Sequence, residues 1–441
     1  MQRLNRWLIA ISLFLLPWQA HFLLRAGELN GAWEYGSIRI FAIDCIILVA
    51  IALTLIASRG AARRSSNPLY RYGMIIMLAY LAISLPFSLL PSLSAFRFAS
   101  ILVAALYLFI LSQSDIPWRT ATLSFIAGAC WSSLLGIWQF ATQTTFASTW
   151  LGVASHRPSE LGVSVIEALA PDGRIERWLR AYGSLDHPNM LGAVAAISLI
   201  FVAWLWISRR RDGRFENIIL AVATVSLAGG LIVSFSRAAW IAAAVGLLII
   251  VICRFKQNWK QLGSFFLISA IVAGLFASQY YYLFAPRLGA ENRLEEKSST
   301  ERITGIKESV AEIMKRPVFG SGLGTYTLAR SQSDPDKEAW NYQPVHNVFL
   351  LIAAETGIVG LLLILGTIIA FLGFSIRRSP ASSRPLIFAL AAAIIASALL
   401  DHWLWSLHFG IIFSAALFGL AGRLTREEVL TDAKARYTVT T

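Results

Sequence analysis

Long apolar runs separated by short polar loops dominate the chain from end to end. A bilayer core about 30 Å thick needs roughly 20 apolar residues in a helix. By that measure the pattern predicts an all-α polytopic membrane protein with about 12 transmembrane helices. The predicted spans are residues 7–24, 37–58, 74–90, 96–113, 120–140, 188–208, 218–235, 238–253, 262–284, 347–375, 386–401 and 404–421.

The seventh and eighth apolar runs are almost continuous. A single helix over residues 218–253 would be about 54 Å long, which is too long for one crossing. Both flanks are basic, with Arg209, Arg210 and Arg211 on one side and Arg254 on the other. We therefore expect two crossings joined by a tight turn over residues 234–237.

Composition agrees with this interpretation and excludes several other classes. Hydrophobic residues make up 56% of the chain and charged residues 14%, with a mean hydropathy of +0.62, outside the range of ordinary soluble domains. The net charge of +13 comes mostly from short loops rather than from one folded basic face, so no nucleic-acid partner is predicted. Cys45, Cys130 and Cys253 lie within or at the end of apolar runs, without the spacing of a disulfide or metal pair.

Basic residues in the short loops set the predicted orientation. Loops near residues 58–71, 208–214, 253–260 and 375–384 are rich in Lys and Arg, and such loops remain in the cytoplasm. The two long loops then face outward. The resulting domains are helices 1–5 in residues 1–140, the first outward loop in 141–187, helices 6–9 in 188–284, the large outward loop in 285–346, helices 10–12 in 347–421 and a cytoplasmic tail in 422–441.

The large outward loop contains the pattern of an amphipathic helix near residues 299–315. Ser298-x-x-Glu301 resembles a capping box, and Pro317 cannot continue a helix. Arg302 lies beside the apolar face and can reach back toward the membrane. The apolar face comprises Ile303, Ile306, Val310 and Ile313, and the acids expected to face water are Glu301, Glu308 and Glu312.

Two further loop motifs each allow two interpretations. In "VFGSGLGTY", Gly320, Gly322 and Gly324 would let backbone N–H groups approach an anion, but without a preceding strand or a following Lys the favoured alternative is a flexible turn. In the first outward loop, the Pro-Asp-Gly sequence at 171–173 predicts a β-hairpin, with a short interfacial helix over 174–180 as the alternative.

Basic side chains collect at the outward face. Arg237 has only Ser234 and Ser236 as polar neighbours in sequence, and an Arg so close to the bilayer costs a few kcal/mol unless it finds an anion, a cavity or the headgroup layer. It is therefore either a membrane anchor or a ligand for an anion. The first outward loop delivers Arg180 to the mouth of the sixth span.

His346 stands where the tenth span meets the outer aqueous phase. It is either a helix-end histidine bonded to a carbonyl or a functional imidazole beside the cations Arg180, Arg237 and Arg302, a combination that suits chemistry on a diphosphate. His187 is favoured as structural, because Pro188 can start a helix that Asp186 caps.

Acidic residues offer fewer indications. Asp44 and Glu355 lie inside apolar spans, where acids are functional or paired, and Asp401-His402 ends the eleventh span. Asp334-x-Asp336 has the spacing of a metal-binding pair in some glycosyltransferases, but acids in a loop of this composition are usually solvated. We expect no metal and no cofactor.

Four motifs in this order resemble the O-antigen ligase and O-antigen polymerase superfamily of bacterial inner membranes: "RAYGSLDHPNMLG", "SFSRAAWIA", "ERITGIKESVAEIMKRPVFGSGLGTY" and "HNVFLLIAAETGIVGLL". The resemblance spans roughly residues 175–420, while the first five spans match only in apolar character. It implies transfer of a glycan from undecaprenyl diphosphate, at the periplasmic face, to an acceptor hydroxyl. A ligase uses the lipid A core as acceptor, and a polymerase uses another lipid-linked repeat.

The resemblance also implies a metal-independent, inverting reaction in which His346 and Arg237 are central. Arg180 and Arg302 match the other basic positions that contact the donor diphosphate. Supporting positions in or near the same motifs are His187, Asn189, Asn347, Glu355 and Asp401. The rival interpretations are a transporter, with Asp44, Glu355 and Asp401 as a polar pathway, and a non-catalytic membrane scaffold.

Overall fold

The chain is predominantly helical in a computed structural model that describes residues 2–57, 68–209, 213–288 and 293–439. Two small antiparallel hairpins interrupt the helices: β1 (His21–Arg25) with β2 (Ile38–Phe41), and β3 (Val165–Leu169) with β4 (Ile175–Leu179). The helices are α1 (Gln2–Phe14), α2 (Ala42–Ala57), α3 (Pro68–Ser84), α4 (Pro91–Gln113), α5 (Trp118–Thr142), α6 (Pro188–Ser208), α7 (Arg214–Val233), α8 (Arg237–Phe284), α9 (Arg293–Lys315), α10 (Tyr326–Ser333), α11 (Val348–Arg378), α12 (Arg384–Leu400), α13 (Trp403–Ser406) and α14 (His408–Val439).

Eight helical segments in the described part of the chain are long and apolar enough to cross a membrane. They lie in α3, α4, α5, α6, α7, α8, α11 and α14, while α2 and α12 are apolar but shorter. The chain is thus a multi-pass membrane protein. The count of twelve spans and the domain boundaries stay predictions, and the basic loop residues 58–67 and 210–212 lie outside the described residues.

The first predicted span is wrong at its C-terminal end. Helix α1 ends at Phe14, three residues before Pro17, and the predicted span continues to residue 24. Residues His21–Arg25 instead form strand β1, which pairs with β2. A proline inside a helix removes a backbone hydrogen bond and clashes with the preceding turn, so the apolar run cannot continue as one helix.

Helix α8 doubles back on itself. It spans 48 residues, and Asn258 interrupts it with non-helical dihedrals (φ −129°, ψ 25°). In a straight helix Trp240 and Phe284 would lie about 66 Å apart, yet their ring centroids are 6.2 Å apart. The two arms are therefore antiparallel, and they correspond to the runs predicted at residues 238–253 and 262–284.

Helix α6 is the centre of the bundle. Its apolar stretch is buried throughout, and the helix packs against α5, α7, α8 and α12. A helix that is apolar on every side is stable only when surrounded by other helices. Its first residue, Pro188, therefore gives a fixed position to the polar segment that precedes it.

The first outward loop contains the predicted hairpin. Strands β3 and β4 pair in register from Val165–Leu179 to Leu169–Ile175, and Gly173 takes a positive φ of 83° in the turn. The alternative helix over residues 174–180 is wrong.

Helix α9 ends at Lys315, as predicted, but begins six residues earlier than predicted, at Arg293. Its orientation differs from the prediction, because Glu312 is buried and Ile303, Ile306 and Val310 are exposed. The Glu312 carboxylate accepts hydrogen bonds from Lys315 Nζ (2.9 Å) and from Ser333 Oγ (2.7 Å) on α10. The expectation that Glu312 faces water is therefore wrong.

Candidate active site

The start of α11 holds His346 against the end of α12. Asn347 caps α11 by accepting a hydrogen bond from Leu350 N (3.0 Å), and its Nδ2 donates to Leu399 O (3.4 Å). His346 precedes the cap by one residue, and Asp401 follows the last residue of α12. Two helix ends far apart in sequence thus meet through one asparagine.

His346, Asp401 and His402 form a compact group at this junction. His346 Nδ1 lies 3.5 Å from Asp401 Oδ1, and the two imidazole rings are 5.0 Å apart. The Asp401 side chain is only 6% exposed and that of His346 is 33% exposed. The carboxylate is therefore enclosed, while the imidazole is accessible from outside.

A chain of hydrogen bonds runs from this group to a guanidinium. Asp401 Oδ2 accepts from Asn189 Nδ2 (2.7 Å), and Asn189 Oδ1 accepts from Arg180 Nη2 (2.6 Å). Arg180 Nε donates to Ser234 O (2.9 Å), just after the end of α7. The structure thus connects His346, Asp401, Asn189 and Arg180, which all come from the sequence prediction, across four separate segments.

Burial and charge fix the protonation states of Asp401 and His402. Burial by itself raises the pKa of Asp401, but the nearby imidazoles of His346, His402 and His187 hold that pKa well below its usual range. Burial lowers the pKa of His402 to about 4, against the attraction of Asp401. At neutral pH the group therefore presents a carboxylate beside a neutral His402, whose Nδ1 lies 2.7 Å from Ser406 Oγ.

His187 has the structural role that sequence favours, but by a different contact. Its own Nδ1 caps α6 by accepting from Asn189 N (3.1 Å), so the expected cap at Asp186 is wrong. Its Nε2 lies 3.0 Å from Ser164 Oγ. Burial and Arg180 lower the pKa of His187 to about 3, which keeps the ring neutral. Burial also raises the pKa of Asp186 to about 6.

Arg237 is the first residue of α8 and is half-buried. Ser236 caps this helix by accepting a hydrogen bond from Ala239 N (3.3 Å). Arg237 lies three residues beyond Ser234, whose carbonyl oxygen binds Arg180. The turn between α7 and α8 therefore leads directly into Arg237, and its Ser234 carbonyl accepts the hydrogen bond from Arg180.

Arg302 approaches the site from α9. It lies one turn before Gly305, where an added Cβ would come within 3.8 Å of Val345 Cγ2, the neighbour of His346. The Arg302 Nε is buried and has no hydrogen-bond acceptor among the described residues.

Glu355 lies apart from this group. Its buried carboxylate accepts hydrogen bonds from Gly324 N (3.0 Å) and Trp405 Nε1 (2.8 Å). The preceding glycines, Gly320 and Gly322, have positive φ angles of 69° and 107°, which favour glycine. The glycine loop does bring an N–H group to an anion, but that anion is a carboxylate of the chain itself.

Asp44, Glu355 and Asp401 do not share one polar path among the described residues. Asp44 Oδ1 lies 2.8 Å from His408 Nε2, while Glu355 bonds the glycine loop and Asp401 bonds Asn189. Each acid has its own partners. This arrangement gives no support to the transporter interpretation.

A single group of side chains in the described ranges has metal-ligand spacing, namely His346, Asp401 and His402, with ligand atoms within 4.8 Å of one another. Hydrogen bonds within the protein already use both carboxylate oxygens that could bind a metal ion. Asp401 Oδ1 accepts from the His402 backbone N (2.8 Å), and Asp401 Oδ2 accepts from Asn189. The arrangement fits a carboxylate that orients imidazoles better than it fits an ion.

The acidic pair in the large loop is engaged locally. Asp334 Oδ2 forms an ion pair with Lys337 Nζ at 2.6 Å, and Asp336 is exposed. The two acids of this spacing thus have different surroundings, an ion pair for Asp334 and solvent for Asp336.

Arg97 and Tyr35 are neighbours of the site that the sequence analysis does not single out. Arg97 Nη2 lies 3.4 Å from Tyr35 O, and the Tyr35 ring meets His402 edge-on at 6.2 Å. With Glu355 and Trp405 they line a cavity of about 20 Å³, enough for about one water molecule. The sequence does contain a signal for Arg97, because it is the only charged residue in α4 and charged residues inside apolar helices are usually functional or paired.

Comparison with known proteins assigns the middle of the chain. Residues 222–365 match the family model described as O-antigen ligase. This segment is therefore similar to O-antigen ligases, and residues 222–365 are called the O-antigen ligase domain below. This confirms the resemblance to the superfamily and indicates a membrane glycosyltransferase-like enzyme of polysaccharide biosynthesis. The O-antigen ligase domain includes Arg237, Arg302, His346 and Glu355, whereas Arg180, Asn189 and Asp401 lie outside the matched range.

Other comparisons add little. No curated protein matches the chain. One solved structure, described as "Structural coordination of polymerization and crosslinking by a peptidoglycan synthase complex", is 15% identical over 90% of this chain and 98% of its own. Its TM-score of 0.35 is too low to support an argument about fold or function.

Proposed function

We propose that the protein transfers a glycan from undecaprenyl diphosphate to an acceptor sugar hydroxyl, such as one of the lipid A core, at the periplasmic face of the bacterial inner membrane. The observation that carries the proposal is the placement of His346 Nδ1 3.5 Å from Asp401, whose carboxylate is linked by hydrogen bonds through Asn189 to Arg180. It joins an accessible imidazole to a guanidinium beside the O-antigen ligase domain, which itself supplies Arg237 and Arg302.

His346 is the general base in this proposal. In this proposal Nδ1 carries the ring proton beside Asp401 Oδ1, 3.5 Å away, and Nε2 accepts the proton of the attacking hydroxyl. The hydroxyl oxygen then forms a bond to the anomeric carbon as the bond from that carbon to the diphosphate oxygen breaks, with inversion. The electron pair leaves on undecaprenyl diphosphate, and the proton remains on His346 beside the Asp401 carboxylate.

The arginines stabilise the leaving group. A glycosyl diphosphate already has a good leaving group, so the site must mainly neutralise charge that develops on phosphate. Arg237, Arg302 and Arg180 are assigned this role, because a guanidinium binds phosphate through two parallel hydrogen bonds and stays protonated throughout. Such a site needs no metal ion.

The acceptor decides between two activities that share this chemistry. A ligase attaches the glycan to the lipid A core, and a repeat-unit polymerase attaches it to another lipid-linked repeat. The decisive assay uses purified protein in proteoliposomes with a defined undecaprenyl-diphosphate glycan, and offers lipid A core or a second lipid-linked glycan as acceptor. Product from the first acceptor supports the ligase, and product from the second supports the polymerase.

Replacing His346 tests the base. His346→Ala should bind donor normally but transfer more slowly by roughly 10²- to 10⁴-fold, the usual contribution of a positioned base. His21→Ala, at an exposed histidine, should behave like wild type. EDTA should leave the rate unchanged. A fully active His346→Gln variant with the wild-type pH profile would show that His346 only positions the acceptor, and transfer to neither acceptor would overturn the function itself.

A further inference from the structure

Helix α9 has three different faces. One faces the protein, where Ser309 is 0% and Glu312 is 2% exposed. A second is apolar and uncovered. Its side chains are Ile303, Ile306, Val310 and Met314, exposed by 59%, 46%, 42% and 75%. A third is exposed and carries Glu301, Thr304 and Ala311. At about 100° per residue the centres of the three faces are roughly 120° apart.

The lipid-facing surface of α11 locates the outer edge of the bilayer core. Residues 351–357 are buried in protein, and exposed apolar side chains begin at Ile358. The helix ends at Arg377 and Arg378. The interval from residue 358 to 377 is about 30 Å of helix, which equals the thickness of the hydrocarbon core. The outer boundary of that core therefore lies near Ile358.

The C-terminal end of α9 is tied to this level. Ile358 N donates to Pro317 O (2.8 Å), two residues after the end of α9. Phe319 stacks on Phe87 at 4.4 Å, and Phe87 is 58% exposed beyond the end of α3. Val318, between Pro317 and Phe319 in the sequence, is 49% exposed. The apolar face of α9 is thus continuous with the lipid-facing surfaces of α3 and α11.

We propose that α9 lies along the outer membrane–water interface, with Ile303, Ile306, Val310 and Met314 inserted at the boundary of the acyl chains. The occupant of this face is the lipid surface of the bilayer that the other helices cross. A helix with one apolar and one charged face binds in this way, and Lys307 at the edge of the apolar face can extend to the headgroups. If the proposed function is correct, insertion also holds Arg302 at the level of the donor diphosphate.

Adjacent positions on α9 provide the test. Cys45, Cys130 and Cys253 are replaced by Ser, and a single Cys carrying a nitroxide label is placed at Val310 or at Ala311. Both positions are exposed on the same turn of the helix. The protein is reconstituted in vesicles of phosphatidylethanolamine and phosphatidylglycerol, and collision of the label with oxygen and with a water-soluble nickel chelate is measured.

At Val310 the ratio of oxygen to nickel accessibility should exceed the ratio at Ala311 several-fold, because oxygen partitions into lipid and the chelate does not. Equal, water-like ratios at both positions would overturn the proposal. Protection of Val310 from both reagents would also overturn it, since a protein and not lipid would then cover the face. Accessibility does not depend on transfer, so loss of the proposed function would leave this result unchanged.

Discussion

Replacing Asp401 with Asn removes one charge from the site and keeps the shape of the side chain. The carboxylate has one oxygen 3.5 Å from His346 Nδ1 and the other 2.7 Å from Asn189 Nδ2. An amide has only one accepting oxygen, so its NH₂ group must face one of these two donors. The substitution therefore weakens either the support of the imidazole or the hydrogen-bond chain to Arg180.

The size of the effect follows from the geometry. Two unit charges 3.5 Å apart attract by about 5 kcal/mol at an effective dielectric constant of about 20. The His346 side chain is 33% exposed, so solvent screening reduces this value. If about half remains when the imidazolium forms in the transition state, kcat should fall about 10²-fold.

The assay is transfer at saturating donor and acceptor in proteoliposomes, with donor binding measured separately. Asp334→Asn is the matched control, because Asp334 lies in the large loop, pairs with Lys337 and is not one of the residues linked to His346. The control should transfer at the wild-type rate. If Asp401→Asn is as fast as the control, the carboxylate does not act through His346, and the proposed general base loses its orienting partner.

Two further predictions concern stability. The folded-state pKa of His187 is about 3, and its unfolded value is about 6.5. The neutral ring therefore contributes fully to the free energy of unfolding above pH 6.5. This contribution is lost as the pH falls toward 3, by about 1.4 kcal/mol per pH unit. His187→Asn keeps a cap and should flatten the fall in Tm between pH 6.5 and 4; an unchanged slope would contradict the buried neutral ring. Gly322→Ala should lower the unfolding free energy by about 2 kcal/mol or more, because its φ is 107° and the new Cβ would lie 2.0 Å from Ser88 Oγ. Gly274→Ala, where nothing lies within 4 Å, is the control in the same thermal-unfolding measurement, and equal Tm values for the two variants would refute this argument.

Apolar runs reveal helices well but do not show where proline or pairing ends them. The membrane class and the superfamily resemblance are confirmed by the long apolar helices and the O-antigen ligase match. The first span is wrong because hydropathy alone ignores Pro17 and the partner strand of residues 21–25. The reversal of α8 occurs between its two arms at Asn258, one of two residues with non-helical dihedrals inside the helix.

Site residues could be named from motifs, but their partners could not. His346 and Asp401 each stand at a predicted helix end, and nothing in the sequence states that the two ends meet through Asn347. Periodicity found the apolar face of α9 and left its surroundings undetermined, so the buried position of Glu312 was missed. Arg97 is the reverse case, because a single charged residue in an apolar helix is itself a sequence signal for a buried functional or paired group.

The spread of the site along the chain has a consequence for biogenesis. Arg180 and Asn189 precede the O-antigen ligase domain, and Asp401 follows it. A ribosome inserting this chain into the membrane therefore completes the matched domain well before it supplies the carboxylate beside His346. If the proposed function is correct, the nascent protein holds the cations assigned to the donor without an oriented base until α12 has entered the bilayer and Asn347 has bonded its last turn. The proposed activity would then begin only when assembly of the bundle is nearly finished.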